Sequence, residues 1–146
     1  MAETWMDAKM DHLTISVADI DRALIFYRDI LGFQVDWDRS GLEIAKVVGL
    51  PDANARQIMV RGYGLCVELM KYYTPEGKVR TPNRQCDFGL THFCLSVRNI
   101  DEVYRRLLKD GVEFNCPPQE IRPGVWATYF KDPEGVAIEL VERLEK

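Results

Sequence analysis

The sequence predicts an α+β protein in which one unit, a strand followed by a helix and a hairpin, is built twice. Two alignments and one composition break support this. The stretch "HLTISVADIDRALIFYRDILGFQV" (12–35) lies over "HFCLSVRNIDEVYRRLLKDGVEF" (92–114), so that His12, Ser16, Val17, Ile20 and Asp21 match His92, Ser96, Val97, Ile100 and Asp101 at one offset of 80 residues. The stretch "RQIMVRGYGLCVELMKY" (56–72) lies over "VWATYFKDPEGVAIELVER" (125–143), with Glu68 over Glu139 at an offset of 71. Between the copies runs "TPEGKVRTPNRQCDF" (74–88), rich in Pro, Gly and charge, as a linker would be. The expected organisation is one domain, residues 8–146, made of a first module (8–74), a linker (75–88) and a second module (89–146).

In the first strand of each copy, apolar residues alternate with small or polar ones. Leu13, Ile15 and Val17 face one way and His12, Thr14 and Ser16 the other; Phe93, Leu95 and Val97 oppose His92, Cys94 and Ser96. Asp19 and Asn99 stand where helix N-caps are expected. The helices that follow carry apolar stripes at helical spacing: Ile20, Ala23, Leu24, Tyr27, Ile30 and Leu31 in the first, Ile100, Val103, Leu107 and Leu108 in the second. Gly32 and Gly111 end them. These stripes cover the apolar strand faces and leave the histidine faces free. Each unit closes with a hairpin, turning at "RGYG" in one copy and "KDPEG" in the other. Its last strand, "LCVELM" or "VAIELV", holds a single glutamate among apolar residues.

Composition narrows the function. The 146 residues are 47% hydrophobic and 29% charged, with a net charge of -4 and no basic patch, which excludes the electrostatic footprint of a nucleic-acid binder and leaves a small-molecule substrate. No apolar run approaches the ~18 residues of a membrane helix, and the acidic start lacks a secretory pattern, so no membrane partner and a cytoplasmic location are expected. Cys66, Cys86, Cys94 and Cys116 show no CxxC pairing and are expected to be free thiols.

The chemistry rests on the only two histidines, His12 and His92, at matched positions, each with a matched glutamate, Glu68 or Glu139. One strand histidine alone would fit a hydrogen-bonded core residue, and one "VEL" or "IEL" glutamate would fit an exposed edge. A buried unpaired carboxylate costs several kcal/mol, so a chain that buries one supplies a partner. Here the pattern occurs twice. If the halves pair about a pseudo-twofold axis, His12, Glu68, His92 and Glu139 converge on one cavity. Two imidazoles and two carboxylates suit one divalent ion per site: Zn, Ni, Co, Mn or Fe.

The segments "DHLTISVADIDRALIFYRDILGF", "GLTHFCLSVRNID" and "YFKDPEGVAIELVE" resemble the vicinal oxygen chelate superfamily, which includes glyoxalase I, methylmalonyl-CoA epimerase, extradiol dioxygenases and fosfomycin or bleomycin resistance proteins. The resemblance implies two βαβββ modules joined into an open, cup-shaped barrel with a metal at its base, held by His12, Glu68, His92 and Glu139. It also implies a metal-dependent enzyme that moves a proton next to a carbonyl through a metal-chelated enolate, similar to methylmalonyl-CoA epimerase. Glu139 or Glu68 would act as general base. Glu43, in "SGLEIAKVVGLPDANARQIMV", matches a region where epimerase-like members carry a further acidic residue; a solvated charge at the start of a helix-like insert fits it as well.

A glyoxalase I-like lactoylglutathione lyase is the alternative. An extradiol dioxygenase is disfavoured, because a facial triad needs one carboxylate and no third histidine is present. An antibiotic-binding protein without chemistry is disfavoured by retention of all four ligand positions. Members of the superfamily commonly dimerise, so a homodimer is expected, with the site drawn from one chain or from two.

Overall fold

A computed structural model describes residues 5–79 and 84–144, so the middle of the expected linker, residues 80–83, lies outside the described residues. The first module runs β1 (Leu13–Ser16), α1 (Ile20–Leu24), β2 (Gln34–Ser40), α2 (Ala45–Val48), β3 (Asn54–Gly62) and β4 (Leu65–Thr74). The second runs β5 (His92–Ser96), α3 (Ile100–Lys109), β6 (Gln119–Arg122), β7 (Val125–Lys131) and β8 (Ala137–Arg143). Apart from the short α2, both read βαβββ. Each module forms its own four-stranded mixed sheet, in the order β1-β4-β3-β2 and β5-β8-β7-β6, and the two sheets are not closed on each other.

The alternation in β1 and β5 has the expected result. Ile15, Val17 and Leu95 are buried, while Thr14, Ser16 and Cys94 lie on the opposite face. The parallel pairing of β1 with β4 puts Thr14 beside Glu68, and that of β5 with β8 puts Cys94 beside Glu139. One continuous core joins the helix-facing sides of both sheets, including Ile15, Val17, Phe26, Tyr27, Leu69, Leu107, Phe130 and Leu140. Burying such a side chain fully is worth roughly 1.5–3 kcal/mol. The histidine-bearing faces point away from this core.

Asp19 caps α1 as expected, its Oδ1 accepting from the Arg22 N–H at 3.0 Å. The helix does not stay α-helical to Leu31. Residues Ile25–Ile30 form a π-helical turn that closes with the Leu31 N–H donating to the Phe26 carbonyl. The widened turn buries both Phe26 and Tyr27, and leaves Ile25 exposed. Phe26 meets Phe130 of the second module, and the Tyr27 hydroxyl donates to Asp132 Oδ2 at 2.9 Å. A π-turn is rare in helices and often has a local purpose; here it aims two adjacent aromatics at the other module.

Asn99 does not cap α3 with its side chain. It sits in the left-handed region at φ 55°, and the Glu142 carboxylate takes the backbone N–H groups of Asn99 and Ile100 at 2.6 and 3.2 Å. A carboxylate at a helix N-terminus satisfies orphan donors and complements the helix dipole.

The first hairpin turns at Tyr63 and Gly64, both at positive φ, as a two-residue loop of the primed type requires. All four cysteines are free. No helix among the described residues is long and apolar enough to cross a membrane.

Candidate metal centre

In the first module, His12 flanks the edge strand β1 and points Nε2 at Glu68 Oε2, 3.6 Å away. Its other nitrogen, Nδ1, lies 2.6 Å from Asp11 Oδ2. A carboxylate oxygen only accepts, so Nδ1 is the donor in this contact. That same contact holds the Asp11 carboxyl below the usual range.

The Glu68 side chain is 8% exposed, and neutral donors hold both of its oxygens. Thr14 Oγ1 donates to Oε2 at 2.7 Å and Gln57 Nε2 donates to Oε1 at 2.8 Å. Hydrogen bonds to a charged acceptor are worth about 1.5–3 kcal/mol each, enough to offset much of the desolvation of a buried carboxylate. Gln57 is itself buried, and its Oε1 has no partner among the described residues. Leaving a buried acceptor unmade costs about 1–3 kcal/mol. Met59 and Met70, both buried, pair with Glu68 and Gln57 across the β3–β4 ladder and share their face.

The second module repeats the plan with different partners. His92 Nε2 is 3.2 Å from Glu139 Oε2, and its Nδ1 is 3.1 Å from Gln85 Oε1 and 2.9 Å from Thr91 Oγ1. Tyr129 packs edge-on against the His92 ring, with centroids 5.1 Å apart. The Glu139 side chain is 17% exposed. Partial desolvation, then the charge of Glu139 and a hydrogen bond to it, push the Cys94 thiol up to about 11. The same causes raise the Tyr129 phenol.

Both histidines therefore have Nδ1 held by an outer oxygen and Nε2 turned to a glutamate, and His92 Nε2 also lies 3.4 Å from the Tyr129 hydroxyl. A bare imidazole lone pair facing a carboxylate is repulsive, and a cation between them, either a proton on the ring or a divalent ion, removes the repulsion. Outer-shell acceptors on the distal nitrogen are the usual partners of metal-ligating histidines. The donor set fits a divalent ion.

Of the predicted site residues, the structure brings His12 to Glu68 and His92 to Glu139. It does not bring the two pairs to one point within the chain. Among the described residues no three His, Cys, Asp or Glu side chains converge closely enough to hold an ion. Glu43 lies exposed in the loop between β2 and α2, and no hydrogen bond or ion pair among the described residues ties it to either pair. Sequence reading missed Asp11, Gln57 and Gln85. Asp11 immediately precedes His12, and Gln57 shares the parity of Met59, so their signals were present; Gln85 lay in the linker, where spacing carries no information.

Residues 9–140 match the Glyoxalase/Bleomycin resistance protein/Dioxygenase superfamily. The chain belongs to this superfamily. Within it, the chain is 26% identical over 141 residues to mouse mitochondrial methylmalonyl-CoA epimerase, spanning 93% of this chain and 74% of that one. Its fold is similar to that of a glyoxalase family protein from Bacillus cereus, with a TM-score of 0.86 at 23% identity, covering 99% and 100% of the two chains. It is also similar to the fosfomycin resistance protein FosX from Listeria monocytogenes, in a structure complexed with Mn(II) and sulfate, with a TM-score of 0.64 at 18% identity over 95% of each chain. The superfamily fold, two βαβββ modules with open sheets, is the one expected from the sequence.

Proposed function

We propose that the protein is a divalent-metal-dependent, epimerase-like isomerase that moves a proton at the carbon α to a substrate carbonyl. In this reading it works as a homodimer, each metal site taking His12 and Glu68 from one chain and His92 and Glu139 from the other. The observation that carries the metal reading is the matched aim of the two histidines, Nδ1 to an outer acceptor and Nε2 to a glutamate. The half-sites are what supports the homodimer. Among the described residues each holds only two ligands, a histidine beside or on an edge strand and a glutamate on the strand next to it, in separate sheets, and the chain's own core lies on the other faces of those sheets.

Zn, Ni, Co, Mn and Fe all suit two imidazoles and two carboxylates, and the manganese in the FosX complex supports this class of ion. A bound ion supplies Lewis acidity, polarising the carbonyl and making the α-proton more acidic. The chain's residues do the rest. Glu139, the more accessible glutamate, and Glu68 are the carboxylates available to take and return the α-proton. Met59 and Met70 keep water from Glu68. A cavity of about 290 Å³ beside the second half-site is lined by Arg84, Gln85, Asn115, Tyr129, Lys131 and Ala137; Arg84 is ion-paired with Asp87, so Lys131 is the cation there that suits an anionic group on the substrate. Glu43 is a third candidate base, tested by Glu43→Gln.

The similarity to methylmalonyl-CoA epimerase favours acyl thioesters as substrates. Solvent-deuterium exchange with the metal-loaded protein tests this, using a panel of 2-substituted acyl thioesters and hemithioacetals. Label at the α-carbon of a thioester, lost with chelator, is expected. Label only with hemithioacetals would make the protein a glyoxalase-type lyase, and none across the panel would reject proton transfer.

A further inference from the structure

The two half-sites are duplicates in backbone but not in the side chains around their glutamates. Register fixes the equivalences. Thr14 stands beside Glu68 as Cys94 stands beside Glu139, and Met59 opposite Glu68 as Tyr129 opposite Glu139. Two residues further along the ladders, Gln57 opposite Met70 corresponds to Ala127 opposite Val141. Glu68 has a hydroxyl and an amide donor on its two oxygens, whereas the second module puts a thiol and a methyl group at those positions and brings a phenol, Tyr129, to Glu139 from the place of Met59.

Gln57 is hard to explain as packing. It is 6% exposed on the face it shares with Met59, and its Oε1 has no partner among the described residues. A methionine there would leave nothing unmade. Turning the amide over would set Oε1 against the Glu68 carboxylate, so the chain keeps the orientation in which Nε2 donates to Glu68 and the carbonyl goes without. The one bond that justifies a buried amide at this position is the bond to Glu68.

We propose that Thr14 and Gln57 are positioning residues that lock the Glu68 carboxylate in one orientation as a fixed metal ligand. This rests on the metal reading above. Two donors on different oxygens stop the carboxylate from rotating or swinging out, so the first half-site is preorganised for the ion, and of the two glutamates named above as bases the lock leaves the proton to Glu139.

Titration calorimetry with Co(II) alone, together with the visible spectrum of the Co(II) protein, tests the lock. Thr14→Val and Gln57→Met are each expected to weaken Co(II) binding about 10–100-fold and to shift or broaden the cobalt bands. Thr14→Ser, which restores the hydroxyl, is expected to return both to the wild-type range. Thermal unfolding identifies any variant that does not fold; if Gln57→Met fails, the Val and Ser pair at position 14 decides. Wild-type affinity and an unchanged spectrum in Thr14→Val, with binding lost in Glu68→Ala, would reject the lock and leave the metal reading standing. Wild type and Glu68→Ala behaving alike would reject the metal reading, and the lock with it.

Discussion

Tyr27 and Asp132, 105 residues apart, are joined by a buried hydrogen bond of 2.9 Å that ties the first module's helix to the turn before β8. The same carboxylate accepts from the backbone N–H groups of Glu134 and Val136 through its other oxygen. Tyr27→Phe leaves one buried carboxylate oxygen without its donor, and is expected to cost about 1–3 kcal/mol in urea unfolding.

Burial raises the Asp132 carboxyl above its ordinary value, and the hydrogen bonds it accepts do not fully cancel the effect. The folded chain therefore binds more protons at this group than the unfolded chain does, in the window from the ordinary carboxylate value up to the raised one. Its contribution to stability is fullest below that window and falls as pH rises through it. Wild type is thus expected to be more stable, relative to Asp132→Asn, at about pH 4 than at pH 7. A stability difference that is flat or rises with pH would contradict this.

Mixing His12→Ala with His92→Ala tests whether the site spans two chains. Each variant alone lacks one ligand at every site. After subunit exchange about half the dimers are mixed, and each mixed dimer regains one intact site, so about a quarter of wild-type metal content is expected. No recovery after confirmed exchange would put each site within one chain.

Metal should also stabilise the fold. An ion that binds only the native state at about 100 times its Kd adds roughly 2.7 kcal/mol, so Tm is expected to rise with Zn(II) or Co(II) and fall back with chelator. Glu139→Ala should remove most of that rise.

Gly32 ends the first helical segment at φ +82°, where an added Cβ would lie 3.1 Å from the Tyr63 hydroxyl that donates to the Leu31 carbonyl. Gly32→Ala is expected to lose about 1–2 kcal/mol from the left-handed backbone alone. Gly41, with open space at its Cβ and a similar φ of +70°, gives the comparison that isolates the Tyr63 contact.

Much of this architecture was legible because one unit occurs twice. The offset between His12 and His92, the alternation in β1 and β5, the positive-φ turn at Tyr63–Gly64 and the α3 stripe all carry their own pattern. β2 and β6 do not. Nearly all of β2 and all of β6 are exposed, so neither shows apolar alternation. The π-turn leaves no mark on spacing, since the stripe through Tyr27 and Leu31 reads the same in either helix. The Asn99 expectation failed because the donors were taken by Glu142, a residue brought there only by the fold. The paired glutamates were visible as isolated carboxylates in apolar strands, but that each pair belongs to a separate sheet, with no third ligand near it among the described residues, is a fact of packing.

The differences between Thr14 and Cys94 and between Gln57 and Ala127 bear on how a substrate would lie. A cup assembled from two identical halves would accept an unsymmetrical molecule in two orientations related by a half turn, with equal affinity, and only one of them would be productive. With an amide and a hydroxyl on one side and a methyl group and a thiol on the other, the two orientations are no longer equivalent. The duplicated chain has thereby gained a left and a right.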